Sequence, residues 1–277
     1  MRLGIDLGGT KIEGIALQAN GEPAQRVRVP TPQGDYPATL AAIRELCARL
    51  DPGGALPVGI CTPGAVSPAS GLLRNSNSVC LNGQPLLQDL QHTLRRAVRI
   101  ANDADCFTLS EASDGAAAGA RSVFGVIIGT GTGGGVVVDG QLLAGPNAIA
   151  GEWGHNPLPW PQPTELPGPR CYCGKRGCIE TWLSGPGLAR EHGGGLDGAG
   201  ITAAAAAGDP VARQALQHYA DRLARSLASV INILDPQVIV LGGGLSQIRS
   251  LYAEVPQLLG NYLFSDTVLT RLVPPMH

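Results

Sequence analysis

Near its start the chain reads Gly4-Ile5-Asp6-Leu7-Gly8-Gly9-Thr10-Lys11, in which a short apolar strand runs into a glycine-rich turn. A second stretch of this kind follows at Val126-Ile127-Ile128-Gly129-Thr130-Gly131-Thr132-Gly133-Gly134-Gly135. Because glycine has no Cβ, the backbone N–H groups of such a turn can point toward one anion and bind phosphate oxygens. One such turn is more often a tight hairpin. Two of them on similar strand-turn-strand units favour a nucleoside triphosphate held from both sides.

Polar side chains beside the two turns support the same prediction. The hydroxyls of Thr10, Thr130 and Thr132 add hydrogen-bond donors, and Lys11 adds a positive charge. Asp6 can hold a hydrated Mg²⁺, since magnesium is usually bound through one or two carboxylates and several waters. The residues around both turns therefore predict a site for a nucleotide and its magnesium ion.

The composition is typical of a compact enzyme. A chain of 277 residues suggests two domains, and its formal net charge of −2 gives no electrostatic reason to expect nucleic acid as a partner. The longest apolar runs are too short to span a bilayer, and no signal peptide precedes Asp6. We therefore expect a cytoplasmic protein with neither a nucleic acid nor a membrane as its partner.

The seven cysteines fall into two groups. Four are isolated and are predicted to be small buried hydrophobic residues, namely Cys47, Cys61, Cys80 and Cys106. The other three, Cys171, Cys173 and Cys178, lie within one glycine-containing loop, and the odd total argues against a disulfide framework. Three thiolates suit a tetrahedral Zn²⁺ that needs one more ligand, for which His155 is the nearest upstream candidate. The alternative is a set of unpaired loop thiols.

The order of predicted elements repeats along the chain. Strands are predicted at 2–6, 11–17, 24–29, 57–61 and 98–101, and helices at about 35–50, 86–96 and 104–118. Near Gly119 the pattern restarts, with strands at 123–128, 135–138, 142–144 and 238–241 and a long helix at 211–234. This offset of about 120 residues implies two related α/β halves with a cleft between them. We place the domains at 1–117 and 118–277, the second carrying the zinc-binding loop.

A third glycine turn follows the last of these predicted strands. Gly242-Gly243-Gly244 either brings the backbone close to a flat or phosphorylated group or simply starts the next helix. The predicted nucleotide-binding residues are then Asp6, Gly8, Gly9, Thr10, Lys11, Gly129, Thr130, Gly131, Thr132, Gly243 and Gly244.

Taken together, these motifs resemble the ROK family of sugar kinases and repressors, which has the actin-like, ribonuclease-H-like ATPase fold. The resemblance rests on Asp6–Lys11, Asn102-Asp103-Ala104, Gly129-Thr130-Gly131, Gly151-Glu152-Trp153-Gly154-His155, Cys171–Cys178 with Ile179-Glu180, and Leu241–Gly244. Within the family, Leu81-Asn82-Gly83-Gln84-Pro85 and Asn156-Pro157-Leu158-Pro159-Trp160 are most similar to bacterial fructokinase and mannokinase members.

The resemblance implies roles for individual residues. Asp103 would be the general base that takes the proton from the sugar hydroxyl as it attacks the γ-phosphate of ATP. An alternative role for Asp103 is to cap the following helix. The implied sugar-binding residues are Gly64, Asn77, Asn102, Asp103, Glu152, His155 and Glu180. His155 would bind sugar through one ring nitrogen and a structural zinc through the other, together with Cys171, Cys173 and Cys178.

The expected activity is therefore ATP-dependent phosphorylation of a hexose, with D-fructose at its 6-hydroxyl as the predicted substrate and mannose and glucose as slower ones. An N-acetylglucosamine kinase or glucokinase of the same family is the alternative, and a sugar-sensing regulator is a more distant one. Repressors of the family carry a helix-turn-helix ahead of the first glycine turn, for which Asp6 leaves no room in this sequence. The resemblance also implies Mg²⁺, structural Zn²⁺ and a homodimer.

Overall fold

The first glycine turn joins two antiparallel strands, β1 (Arg2–Leu7) and β2 (Lys11–Leu17), with Leu7 opposite Ile12. The computed structural model describes residues 1–76 and 78–277, so Asn77, one of the predicted sugar-binding residues, lies outside them. Two compact units are present. One comprises Met1–Cys106 with Ala144–Ile149, and the other comprises Phe107–Leu143 with Ala150–His277.

The first unit is built on a mixed sheet. Its further elements are β3 (Pro23–Pro30), α1 (Tyr36–Leu50), β4 (Val58–Thr62), β5 (Ala65–Val66), β6 (Leu73–Arg74), α2 (Leu86–Leu94), β7 (Val98–Asn102) and the start of α3 (Asp103–Ser113). The main sheet has the order β3-β2-β1-β4-β7, with β1, β4 and β7 parallel to one another. Parallel β1, β4 and β7 therefore all end at the same edge of the sheet, which is where their polar residues are placed.

A close helix-to-sheet contact stabilises this unit. Leu46 and Leu50 of α1 pack over Gly14 of β2, where an added Cβ would lie 2.1 Å from the Leu46 side chain. Asp35 caps the start of α1, because its carboxylate accepts a hydrogen bond from the Ala38 N–H at 2.9 Å.

The second unit repeats the sheet of the first. Its elements after α3 are β8 (Ser122–Ile128), β9 (Thr132–Val138), β10 (Gln141–Leu142), α4 (Glu180–Leu183), α5 (Gly185–His192), α6 (Gly198–Ala206), α7 (Pro210–Leu234), β11 (Val238–Gly242), α8 (Leu251–Leu259) and β12 (Arg271–Val273). The order β10-β9-β8-β11-β12 combines an antiparallel meander with parallel strands, as in the first sheet. The predicted repeat of elements is therefore present, and α7 covers this sheet with Leu223 and Leu227, which are fully buried.

Two sequence-based boundaries are wrong. The strand predicted at 135–138 begins at Thr132, so Gly133–Gly135 are paired residues of β9. Glycine is needed there because a Cβ at Gly134 would lie 2.9 Å from Phe124, Trp153 and the Gly151 carbonyl. The helix predicted at 104–118 ends at Ser113.

The early end of α3 has a local cause. The fully buried Glu111 carboxylate accepts a hydrogen bond from the Ala116 N–H at 2.7 Å. The chain therefore turns away after α3 at Gly115, where a Cβ would lie 2.4 Å from the same carboxylate. The division between the compact units falls inside α3, at Cys106 and Phe107, whereas the sequence-based division was placed at 117. In the part of the chain described, the helices are all too short or too polar to cross a membrane.

Candidate active site

Asp103 stands where β7 ends and α3 begins. The neighbouring Asn102 is fixed by two hydrogen bonds, because its Nδ2 donates to the Gly64 carbonyl at 3.2 Å and its Oδ1 accepts from the Ala104 N–H at 2.8 Å. The Asp103 carboxylate also accepts from the Ala104 N–H, at 2.8 Å. The first unit thus brings together Gly64, Asn102 and Asp103, three of the predicted sugar-site residues.

The glycine at position 64 is required by the backbone. Its φ is +82°, and a Cβ there would lie 2.4 Å from the Arg74 carbonyl oxygen. Gly64 therefore serves the turn after β4 and, through its carbonyl, holds the Asn102 side chain.

Electrostatics suit Asp103 to act as a base. Desolvation by surrounding protein raises the pKa of Asp103, a hydrogen bond from the Ala104 N–H lowers it, and the charge of Asp6 raises it further. Desolvation also raises the pKa of Asp6, against a hydrogen bond from the Cys61 thiol. Two carboxylates of raised pKa in one unit are typical of functional sites, where a proton acceptor or a cation ligand is needed.

The first glycine turn is held through its carbonyl oxygens. Thr31 Oγ1 donates to the Gly8 carbonyl at 2.7 Å, the Thr31 N–H donates to the Thr10 carbonyl at 3.1 Å, and the Gln33 amide donates to the Gly9 carbonyl. These hydrogen bonds hold the carbonyl oxygens of the turn in place. The Thr10 hydroxyl and the Lys11 ammonium group are exposed, as is expected of a phosphate-binding site.

The second glycine turn lies beside the third. The Gly129 N–H donates to the Gly131 carbonyl at 3.0 Å, and the Gly185 N–H donates to the Gly129 carbonyl at 2.7 Å. Gly243 has φ +80° and would clash with the Ile128 carbonyl at 2.5 Å if it carried a Cβ, so packing alone explains that glycine. A Cβ at Gly244 would meet nothing within 4 Å, which leaves open space beside the turn.

Glu180 connects the second glycine turn to α4. Its carboxylate accepts a hydrogen bond from the Thr132 N–H at 3.1 Å, and a Cβ on Gly131 would lie 2.7 Å from the same oxygen. Thr132 Oγ1 is buried and, among the residues that the structure describes, has no hydrogen-bond partner. A buried hydroxyl of this kind fits a site that binds a polar ligand.

This contact defines a prediction for Gly131. We expect Gly131→Val to raise the KM for ATP, because the added side chain blocks close approach of phosphates, and also to raise the KM for sugar, because it displaces Glu180. Initial-rate kinetics with each substrate varied in turn measure both constants. Gly145→Val is the matched control, since its Cβ would meet no atom within 4 Å and its backbone, like that of Gly131, is outside the left-handed region. If Gly131→Val raises neither KM, then Glu180 and this turn do not take part in substrate binding as expected.

The four predicted metal ligands converge. The ligand atoms of His155, Cys171, Cys173 and Cys178 all lie within 4.8 Å of one another. Cys171 Sγ is 3.6 Å from His155 Nδ1, and Cys173 Sγ is 3.6 Å from Cys178 Sγ. Tetrahedral zinc with Zn–S near 2.3 Å and Zn–N near 2.0–2.1 Å places such atoms about 3.6–3.8 Å apart. The donor set and these two edges therefore fit zinc held by His155 Nδ1 and three thiolates.

Backbone pairing holds this cluster against the proline-rich loop that follows His155. The Ile179 N–H donates to the Asn156 carbonyl at 2.9 Å, and the Leu158 N–H donates to the Gly177 carbonyl at 2.9 Å. Gly174 and Gly177 have positive φ angles of 88° and 68°, which the loop needs in order to fold back.

A buried ion-pair cluster fixes the far end of the same loop. Glu165 is paired with Arg222 Nε at 2.7 Å and with Arg225 Nη2 at 2.8 Å, and all three side chains are at most 8% exposed. The Arg222 guanidinium also lies 4.5 Å from the Trp182 ring of α4. Burial raises the pKa of Glu165, but hydrogen bonds from Arg225 and Arg222 outweigh it and lower the pKa to about 2.

We expect Glu165→Gln to destabilise the protein by about 3 kcal/mol, because it leaves two buried guanidinium groups without their shared charge. This lowers the midpoint of thermal unfolding by roughly 6–12 °C. The matched control is Asp139→Asn, which removes one charge from the exposed pair with Arg121 and should leave the unfolding midpoint almost unchanged, because solvent screens exposed pairs. Since the folded-state pKa is depressed, the stabilisation is present above the ordinary value of 4.5 and is lost as the pH falls toward about 2. Equal midpoints for the two variants at pH 7 would contradict the role of Glu165.

The second unit gathers three more of the predicted sugar residues, namely Glu152, His155 and Glu180. Glu152 immediately precedes the 3₁₀ helix Trp153–His155, which is packed on β9 through a 2.9 Å hydrogen bond from Trp153 Nε1 to the Gly133 carbonyl. His155 Nε2 lies 2.9 Å from the Tyr172 hydroxyl. Partial desolvation and the charges of Glu180 and Glu152 raise the pKa of Tyr172 to about 12. Tyr172 therefore contacts His155 and lies within electrostatic reach of Glu152 and Glu180, a placement that its sequence motif alone did not indicate.

Each unit has a five-stranded sheet that combines an antiparallel meander with parallel strands. This repeated arrangement is that of the actin-like ATPase fold, which solved structures share. A hexokinase of the ROK family from Thermus thermophilus superposes with a TM-score of 0.84 at 30% identity, covering 99% of this chain and 92% of that one. A ROK family glucokinase from Streptomyces griseus, solved with glucose and AMPPNP, gives a TM-score of 0.79 at 25% identity, over 99% of this chain and 94% of that one.

Sequence comparisons identify the family. The ROK family model matches residues 2–274, so the chain belongs to the ROK family. An N-acetyl-D-glucosamine kinase from Yersinia pseudotuberculosis is 39% identical over 98% of this chain and 93% of its own length. An N-acetylgalactosamine kinase from a Shewanella species is 40% identical over 98% of this chain and 90% of its own length.

Proposed function

We propose that this protein is an ATP-dependent sugar kinase whose substrate is an N-acetylhexosamine, with N-acetyl-D-glucosamine phosphorylated at its 6-hydroxyl. The observation that carries the kinase proposal is Asp103 at the carboxyl end of β7, with a raised pKa and an Asn102 neighbour fixed by hydrogen bonds. The glycine turns at Gly8 and Gly129 support ATP as the phosphate donor. The relatives at 39% and 40% identity, both kinases of acetamido sugars, support the choice of sugar.

The chemistry assigned to Asp103 is general base catalysis. Its carboxylate accepts the proton of the sugar hydroxyl as that oxygen attacks the γ-phosphorus and the bond from phosphorus to the β,γ-bridging oxygen breaks, leaving ADP. The backbone and hydroxyl groups of the glycine turns bind the phosphate oxygens and orient them. Asp6, exposed at the end of β1, is the residue that would hold Mg²⁺. When bound, the ion supplies positive charge that neutralises the phosphate oxygens.

Zinc has a structural role in this proposal. His155, Cys171, Cys173 and Cys178 would fill all four positions of a tetrahedral ion, which leaves none for substrate. The ion would hold together the segment that carries Glu152 at one end and Glu180 at the other, and these carboxylates would accept hydrogen bonds from sugar hydroxyls.

The motifs that pointed to fructose have other roles in this chain. The Asn82 side chain closes its own loop, accepting from the Ser76 N–H and donating to the Ser76 carbonyl, both at 2.9 Å. The Asn156–Trp160 segment pairs with the cysteine loop, and Trp160 stacks on Tyr262. These contacts account for the two motifs without a sugar, and the two relatives at 39% and 40% identity are kinases of acetamido sugars rather than of fructose.

A panel of sugars tests the proposal. We expect kcat/KM for N-acetyl-D-glucosamine to exceed the values for glucose, mannose and fructose by about tenfold or more, in a coupled assay of ADP release. Fructose as the best substrate would overturn the acetamido proposal and reinstate the sequence-based one. Sugar binding without ADP release, with fresh ATP and Mg²⁺, would instead favour a sugar-sensing regulator.

A further inference from the structure

The two ring nitrogens of His155 face different partners. Nδ1 lies 3.6 Å from Cys171 Sγ, on the side of the predicted metal, and Nε2 lies 2.9 Å from the Tyr172 hydroxyl. When Nδ1 binds a metal, a neutral imidazole carries its proton on Nε2. His155 then donates to the Tyr172 oxygen, and the phenol hydrogen remains available for a further acceptor.

Tyr172 is placed to reach such an acceptor outside the protein. Its side chain is 75% exposed, although its neighbours Cys171 and Cys178 are buried. The ring stands perpendicular to the His155 ring, with the centroids 5.1 Å apart, so the phenol is oriented by an aromatic contact as well as by the hydrogen bond.

The described residues predicted to bind sugar in the second unit offer few donors of this kind. Glu152 and Glu180 are carboxylates, which accept hydrogen bonds from hydroxyl groups when ionised. His155 Nε2, the ring nitrogen predicted to bind sugar, lies 2.9 Å from the Tyr172 hydroxyl. A sugar oxygen near these carboxylates that accepts a hydrogen bond, whether a hydroxyl, a ring oxygen or an acetamide carbonyl, can take it from the Tyr172 hydroxyl.

We propose that Tyr172 is a sugar-contacting residue that holds the His155 ring through its oxygen and donates its hydroxyl hydrogen to an oxygen of the sugar. This inference rests on the proposed function, because it adds a residue to the same sugar site. Tyr172 belongs to the Cys171–Cys178 loop, so the loop would supply substrate contact as well as metal ligands.

The test is Tyr172→Phe, which removes the hydroxyl and keeps the ring. We expect the calorimetric Kd and the KM for N-acetyl-D-glucosamine to rise about 3- to 10-fold, the effect of losing one neutral hydrogen bond. The KM for ATP, the zinc content and the unfolding midpoint should stay at their wild-type values. Tyr36→Phe is the matched control, since its hydroxyl also bonds a side chain, Asp89 at 2.7 Å, outside the predicted site.

Two results would overturn the inference. One is a sugar Kd for Tyr172→Phe within twofold of the wild type. The other is a weaker sugar affinity accompanied by loss of zinc and a lower unfolding midpoint, which would give Tyr172 a structural role only. Because binding is measured without ATP, a wild-type protein that binds sugar and transfers no phosphate would contradict the kinase proposal and leave the assignment of Tyr172 intact.

Discussion

Asp103→Asn is expected to lower kcat by about 10²- to 10⁴-fold while sugar affinity stays close to that of the wild type. The amide keeps the size of the side chain and can still accept a hydrogen bond from the Ala104 N–H, as the carboxylate does at 2.8 Å. It cannot accept a proton at neutral pH. Steady-state kinetics together with calorimetric sugar titration separate the two quantities.

The pH profile adds a second readout for Asp103. Because the pKa of Asp103 is raised, the wild-type kcat should fall as the pH is lowered through that value, when the base becomes protonated. The residual activity of Asp103→Asn should lack this acidic limb. Asp266→Asn, at an exposed loop position, is the control and should keep wild-type kinetics. A kcat of Asp103→Asn close to the wild-type value would contradict the role of Asp103 as general base.

Cys173→Ser is expected to abolish stoichiometric zinc and to weaken sugar binding. Loss of one ligand should lower zinc affinity by more than the roughly 10- to 100-fold that loss of an outer partner costs. Sugar affinity should fall with it, since Glu152 and Glu180 flank the cluster and their positions depend on the loop. Metal analysis of freshly purified protein and calorimetry measure the two effects.

Cys80→Ser is the matched control for this substitution, because Cys80 is a free thiol outside the cluster. It should retain about one zinc per chain. If wild-type protein purified without chelators contains no zinc, the assignment of a zinc site is wrong. Sugar affinity unchanged in a zinc-free Cys173→Ser protein would separate the metal from the sugar site.

The repeat of sheets could be predicted from sequence because it depends on local patterns. Alternating apolar residues and glycine turns recur in both halves, and β1 and β8 begin at Arg2 and Ser122. The glycines were harder to interpret. Gly129 and Gly131 form the turn, but Gly134 is a strand residue at which an added Cβ would collide with Phe124 and Trp153. A glycine required by a distant aromatic ring looks the same in sequence as one that binds phosphate.

The convergence of His155 with three cysteines was also predictable, since three cysteines within one loop leave few other arrangements. The contact of Glu180 with Thr132 and the pairing of Glu165 with Arg222 and Arg225 were not, because they join residues far apart in the chain. The sequence-based choice of fructose is not supported by the two relatives, which are kinases of N-acetylglucosamine and N-acetylgalactosamine. The motifs that contain Asn82 and Trp160 resemble fructokinases, but the contacts of these two side chains are with their own loops and neighbours.

The most direct test of the kinase proposal is analysis of the reaction product. Wild-type protein incubated with ATP, Mg²⁺ and N-acetyl-D-glucosamine should form ADP and the sugar 6-phosphate in equal amounts, as resolved by phosphorus NMR and mass spectrometry. ADP with inorganic phosphate and no phosphorylated sugar, for this substrate and for the rest of the panel, would contradict it.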